Sequence, residues 1–138
     1  MRYADVLLMY AEAKFEKGEF TEDIWNMTIK RIRERAGFTD SGALEYPSLS
    51  SDDMRKLIRN ERRCELAMEG LRWFDIKRWK AGSEYLTGNV EGATFDGVGT
   101  IRVDSYNFNE QSRLFMGCAS SQIDLNHNLV PNNPGYAN

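Results

Sequence analysis

The chain has 138 residues, 41% of them hydrophobic and 28% charged, with a formal net charge of −3. This is the composition and size of one ordinary globular domain. It excludes a basic nucleic-acid footprint, because the run Lys30–Arg35 is local and interrupted by Glu34, and it holds no apolar run of the roughly 18 residues a membrane-spanning helix needs.

Residues 1–20 lead straight into a helical pattern carrying Asp5, Glu12 and Glu16, unlike a signal peptide. The spacing predicts a helix over 2–17. Tyr3, Val6, Leu7, Tyr10, Ala11 and Lys14 form its stripe, and Leu8, Met9, Ala13 and Phe15 widen it. A helix apolar over so much of its circumference wants neighbours on more than one side. Gly18 ends it in a position suited to a left-handed cap. Thr21 is placed to cap a second helix, with Glu22 and Asp23 in the first turn, where the helix dipole favours acids. Trp25, Thr28, Ile29, Ile32 and Ala36 recur at helical spacing, and Gly37 closes the element. Residues 1–37 thus read as a helical hairpin of tetratricopeptide-like length. No second copy of it appears in the sequence.

Residues 38–50 read as a loop. Ser50 or Ser51 opens the next helix, with Asp52 and Asp53 in its first turn. Residues 51–80 form a helix running to about Met68, bent at Gly70, and continued by a short segment. Met54, Leu57, Ile58, Glu61, Cys64, Glu65, Met68 and Leu71 share its broad face. Carboxylates on a face that should be buried require partners. The stretch Arg59–Trp79 therefore predicts an ion-pair network, joining Glu61, Glu65 and Glu69 to its own arginines and to Arg2, Arg31 or Arg35. Arg72, Asp75 and Arg78 pair along the short segment. Cys64 reads as a small core hydrophobe.

After Trp79 the pattern thins. Residues 81–138 contain seven glycines and read as an irregular arm, with a strand at Thr100–Val103 entered by a turn at Phe95-Asp96-Gly97. Ile123–Asn138 shows no helical pattern. An arm this long makes sense if it wraps over a surface. The unaccompanied hairpin and the arm together predict the C-terminal part of a larger protein; the alternative is a short chain that dimerises to cover its faces.

Few residues suggest chemistry. Glu61 and Glu65 resemble the paired carboxylates of a glycosidase, but arginines surround them and the ion-pair reading is preferred, so no catalytic residue is assigned. His127 and two distant cysteines, Cys64 and Cys118, make no metal cluster. No cofactor motif is present, and Gly97-Val98-Gly99 is too short to mark a nucleotide site. A carbohydrate site needs flat aromatic faces beside amide groups. Trp25, Trp73 and Trp79 have the right chemistry but fall on faces predicted to be core. The best local candidates are Tyr106, Asn107 and Phe108, with Tyr85 and Asn109 nearby; the alternative is a loop or edge strand packing on another part of the protein.

Four stretches together resemble a known family: RYADVLLMYAEA at 2–13, IRERAG at 32–37, IRNERRCELAMEGLRWFDIKRW at 58–79, and IDLNHNL with NNPGY between 123 and 136. In order and rough spacing they resemble the C-terminal region of the SusD/RagB family. The resemblance implies a mostly α-helical fold: a tetratricopeptide-like hairpin and a bent helix, followed by a loop-rich arm with at most short strands. It implies a non-catalytic, lipid-anchored glycan- or nutrient-binding protein of the outer-membrane surface, acting with a SusC-like TonB-dependent transporter and an oligosaccharide or other nutrient ligand. Residues 1–138 would form the C-terminal portion of such a domain, with the anchor and most ligand loops upstream. One departure stands out. Leu114-Phe115-Met116-Gly117-Cys118-Ala119 replaces a proline-containing run, which loosens the backbone where the tail docks. Set beside the family reading are a scaffold that binds protein through the groove of the first two helices, and a glycosidase.

Overall fold

The computed structural model describes residues 2–96, 99–109, 116–134 and 136. The chain divides into two compact units, residues 1–72 and 73–138.

The first unit is helical: α1 (Tyr3–Glu16), α2 (Glu22–Met27), α3 (Ile29–Arg35), α4 (Ser41–Leu44) and α5 (Ser51–Glu65). Its core gathers Leu8 and Ala11 of α1, Trp25 of α2, Ile29 and Ile32 of α3, Met54 and Ile58 of α5, and Leu66. Gly18 and Gly37 take positive φ (72° and 91°) and turn the chain where the sequence suggested. The α1 stripe is corrected. The buried line is Ala4, Leu8 and Ala11, while Tyr3, Val6, Met9 and Tyr10 are exposed. Those larger residues made the alternative face look more apolar.

The predicted second helix is two helices. Thr28 Oγ1 donates to the carbonyl of Ile24, 2.5 Å away, while its own backbone leaves helical geometry at φ −121°, ψ −89°. Such a bond back to residue i−4 bends helices, and here the bend lets Trp25, Thr28 and Ile29 all be fully buried. Thr21 makes no side-chain cap bond, in contrast to the sequence expectation. Ser50 does cap α5, accepting from the Asp53 amide. α4 sits in what the sequence marked as loop, capped by Asp40, whose carboxylate accepts from Gly42 N–H.

α5 stops at Glu65, short of Met68. The turn that follows places Met68 (φ 66°) and Gly70 (φ 74°) in the left-handed region. Met68 is consequently exposed, and Cys64, within α5, is exposed as well, which corrects both as core residues. Arg62 takes the inward position instead, donating from Nη1 to Asp5 Oδ1 at 2.7 Å.

The second unit holds α6 (Arg72–Arg78), α7 (Gly82–Tyr85), an antiparallel hairpin of β1 (Gly88–Phe95) and β2 (Gly99–Tyr106), α8 (Ser120–Leu125) and a 3-10 turn (His127–Leu129). The strand expected at Thr100–Val103 is thus longer and has a partner the sequence reading missed, because Gly88, Gly92 and Ala93 blur any alternation in β1. Of the turn expected at 95–97, Gly97 lies outside the described residues, as does Val98 of the dismissed Gly97–Gly99 motif. α8 and the 3-10 turn fall in a tail that had shown no helical pattern. Amides order that tail: Cys118 N–H donates to Asn132 Oδ1 (2.9 Å), and Asn132 Nδ2 donates back to the Cys118 carbonyl (3.2 Å). In the departing run 114–119, Leu114 and Phe115 lie outside the described residues.

Candidate functional site

The glutamates of α5 and its following turn are held by arginines. Arg33 Nε donates to Glu61 Oε1 (3.0 Å) and Nη2 bonds the same oxygen. Arg35 Nη2 reaches both oxygens of Glu65 at 2.6 Å. Arg2 Nη1 donates to Glu65 Oε1 (2.8 Å), and its Nε donates to Glu69 Oε1 (2.8 Å). Glu69 first, and then Glu65, push the Arg2 pKa above its ordinary range. Arg2 and Arg35 are partners the sequence had named. The helix's own arginines are not: Arg62 goes to Asp5, and the missed partner is Arg33, whose guanidinium also lies 5.1 Å from the Trp25 ring centroid. Arg31 lines a cavity with Tyr3, Leu7 and Ile32 instead. On the short segment, Arg78 Nε donates to Asp75 Oδ1 at 2.9 Å, as expected for the i, i+3 pair.

These contacts predict the outcome of Glu65→Gln. The amide keeps the shape but loses the charge that two guanidinium groups face. Because both arginines are partly exposed, stability is expected to fall by only about 1–2 kcal/mol, read by urea denaturation. Oligosaccharide cleavage that disappears in Glu65→Gln would revive the glycosidase reading.

The second unit contains a different kind of place. The antiparallel register pairs Gly88 with Tyr106. This brings the residues just before β1 beside those just after β2. Phe108 N–H donates to Thr87 Oγ1 at 3.3 Å and closes that end of the hairpin. The result is a cleft of about 260 Å³ lined by Trp73, Leu86, Tyr106, Asn107 and Phe108. The Trp73 and Phe108 rings meet edge to face, centroids 6.2 Å apart and planes at 73°. Lys77, one turn along α6 from Trp73, holds its Nζ 5.6 Å from the indole centroid. Tyr106 is 59% exposed and Trp73 45%.

The structure therefore brings Tyr106, Asn107 and Phe108 together around one opening. Tyr85 and Asn109 are not among its lining residues. Trp73 is the residue sequence reasoning misplaced. It had been put in the core, but the inward residues of α6 are Asp75 and Ile76, and Trp73 and Phe74 point out. The signal was available in Asp75: its short pair with Arg78 makes it able to be buried, which turns the helix by a step. Trp79 is half-buried and stacks under the Arg78 guanidinium at 4.8 Å. Trp25 is fully buried, as expected. His127 is exposed at the start of the 3-10 turn. Among the described residues no group of three or more His, Cys, Asp or Glu side chains is arranged to hold a metal.

A model of the SusD family matches residues 1–136. A SusD-like protein of Formosa agariphila is 36% identical over 141 residues, covering 99% of this chain and 25% of that protein. A second from the same organism is 35% identical over 99 residues, covering 70% of this chain and 20% of that one. Among solved structures, a SusD-like carbohydrate binding protein of Bacteroides fragilis superposes with a TM-score of 0.82 at 30% identity, over 94% of this chain and 28% of that chain. A SusD homolog from Bacteroides thetaiotaomicron gives 0.69 at 28% identity, over 99% of this chain and 26% of that chain. The chain thus spans about a quarter of the length of the relatives it matches.

Proposed function

The chain belongs to the SusD family, and from that premise we propose that it serves glycan or nutrient capture without catalysis, with the Trp73–Phe108 cleft as its ligand contact. The observation that carries this reading is the cleft itself. It offers two aromatic walls for the apolar face of a sugar ring, and the Asn107 amide and Tyr106 hydroxyl for its hydroxyls. Its volume suits a ligand of roughly one ring at a time. The non-catalytic part is supported by the α5 carboxylates: Glu61, Glu65 and Glu69 each face a guanidinium rather than an open cleft. One solved relative is described as carbohydrate binding, and this chain would share that role.

The working context we propose is an outer-membrane uptake system, in which the protein is lipid-anchored at the cell surface and delivers ligand to a SusC-like TonB-dependent transporter. No helix among the described residues is long and apolar enough to cross a membrane. Co-purification of the full-length protein with a large outer-membrane barrel tests the partnership, and its absence from such a complex counts against it.

Retention in native gels containing pullulan, laminarin or polygalacturonate tests the cleft. Trp73→Ala is expected to remove one stacking wall and weaken retention by about 10-fold or more, in line with roughly 1–3 kcal/mol for losing an aromatic stacking platform. Phe108→Ala is expected to weaken it less, since Phe108 acts partly by bracing Trp73. Unchanged retention in both variants sinks the cleft as the contact.

A second reading has its own observation. Tyr3 is 70% exposed on α1, above a cavity of about 350 Å³ that Leu7, Ile32 and Arg31 help to line. In that reading the tetratricopeptide-like helices bind another protein and no small ligand. Recovery of a soluble partner that Tyr3→Ala and Arg31→Ala abolish, with no polysaccharide retention by the wild type, would favour it.

A further inference from the structure

Gly82 opens α7 and is buried. Its φ is not among the positive values of this chain, so its backbone would accept any L-residue. At the start of a helix, alanine would ordinarily be a stabilising replacement. The reason for glycine lies in its surroundings. A Cβ added there would sit 2.0 Å from Phe108 Cε1 and 2.3 Å from Cδ1. Ordinary contact begins at 3.4 Å, so the ring would have to move by about 1.4 Å. Phe108 is tethered at its own backbone by the bond to Thr87. The adjustment must therefore come from the side chain, which meets Trp73 and lines the open cleft.

We propose that Gly82 is the positioning residue of this cleft: the space left by its missing side chain seats the Phe108 ring edge-on to Trp73 and so fixes the angle and width between the two walls. This deepens the proposed glycan contact and rests on that reading for its functional consequence. Gly82 touches no ligand; it acts through Phe108. A methyl group at position 82 displaces the ring and so changes its angle to the indole. The placement of the indole then depends on Lys77 alone among its described ring contacts. The tail uses the same device separately, where a Cβ on Gly117 would fall 2.5 Å from Tyr136 Cδ1.

The test uses the 138-residue chain and compares wild type, Gly82→Ala, Phe108→Ala and the double variant, with Trp73→Phe and Trp73→Ala as controls. The three tryptophans give three indole N–H signals in a nitrogen-15 correlation spectrum, and Trp73→Phe assigns the one that matters. Gly82→Ala is expected to move the Trp73 signal and to weaken retention by pullulan, laminarin or polygalacturonate about 2- to 10-fold, the worth of one edge-to-face aromatic pair. In the Phe108→Ala background the same substitution is expected to change neither the signal nor retention, because the ring it would strike is gone. A Trp73 signal unmoved by Gly82→Ala overturns the proposal. So does a double variant clearly weaker, or clearly less folded, than Phe108→Ala alone, since the effect would then bypass Phe108. If Gly82→Ala does not fold, the double variant decides: restored folding supports the steric link to Phe108, and continued failure overturns it. If Trp73→Ala retains every polysaccharide as the wild type does while Gly82→Ala still moves the indole signal, the positioning role stands and the glycan reading fails.

Discussion

Asp5→Ala is expected to cost about 3–5 kcal/mol of stability, more than any surface charge change in the molecule. Asp5 on α1 and Arg62 on α5 are 57 positions apart, and each is 6% exposed. Their bond at 2.7 Å crosses between two helices that also bury Ala4, Leu8 and Ala11 against Met54 and Ile58. Removing the carboxylate leaves a guanidinium in a place with little water to solvate it. For a unit of 72 residues that loss corresponds to a fall in Tm of about 12 °C or more. Circular dichroism melts of the variant and wild type measure it. The control is the double replacement Asp5→Leu with Arg62→Met, which removes both charges and fills similar volume. It is expected to recover most of the stability, or exceed the wild type, because replacing a buried pair by apolar groups is often neutral or better. A loss below about 1 kcal/mol for Asp5→Ala would show that the Arg62 guanidinium stays satisfied without Asp5, by another group or by water.

This pair also marks what could be read in the sequence and what could not. Carboxylates on an apparently buried face required internal ion pairing, and the pairing is there. The identity of the pairs depended on rotation angles the sequence does not carry. α5 ends at Glu65, and Met68 and Gly70 adopt left-handed backbone, so the wheel drawn through to Leu71 accumulates an error beyond that point. Within α5 itself the buried line is Met54, Ile58 and Arg62, a rotation from the expected face that leaves Cys64 outside. The helical hairpin was legible because Gly18 and Gly37 are end signals with a local cause. Its internal break was not, because a threonine bonding to its own helix at i−4 looks the same in sequence as one pointing at solvent.

The candidate site followed the same division. Tyr106, Asn107 and Phe108 stood out because aromatic and amide side chains alternate in a stretch with no core pattern. Their fourth neighbour, Trp73, lies more than thirty positions earlier. It arrives there through a reversal at Lys80, which takes φ 51°, and through the Gly88–Tyr106 register. Neither the left-handed lysine nor the register had a sequence signal. Gly82 was one of seven glycines in the arm and acquires meaning only once Phe108 is seen against it.

Trp25→Ala is expected to lower the stability of the first unit by about 3–5 kcal/mol, and Trp25→Phe by about 1–2 kcal/mol. The indole is fully buried. It meets Tyr46 edge to face at 6.2 Å, lies beneath the Arg33 guanidinium at 5.1 Å, and donates from Nε1 to the Leu44 carbonyl at 2.9 Å. Alanine loses the packing and leaves a cavity. Phenylalanine keeps most of the ring contact and leaves the Leu44 carbonyl without its donor. The gap between the two variants therefore separates shape from hydrogen bonding, and guanidinium titrations followed by circular dichroism read it directly. Equal losses would mean that the Leu44 bond dominates and the packing contributes little. The milder variant also bears on the site. Every described lining residue of the aromatic cleft lies between positions 73 and 108, and Trp25 belongs to the other unit. Trp25→Phe should thus leave polysaccharide retention at the wild-type level while the first unit is measurably weaker. A variant that loses retention in step with stability would tie ligand capture to the helical unit, and would move the contact away from Trp73 and Phe108.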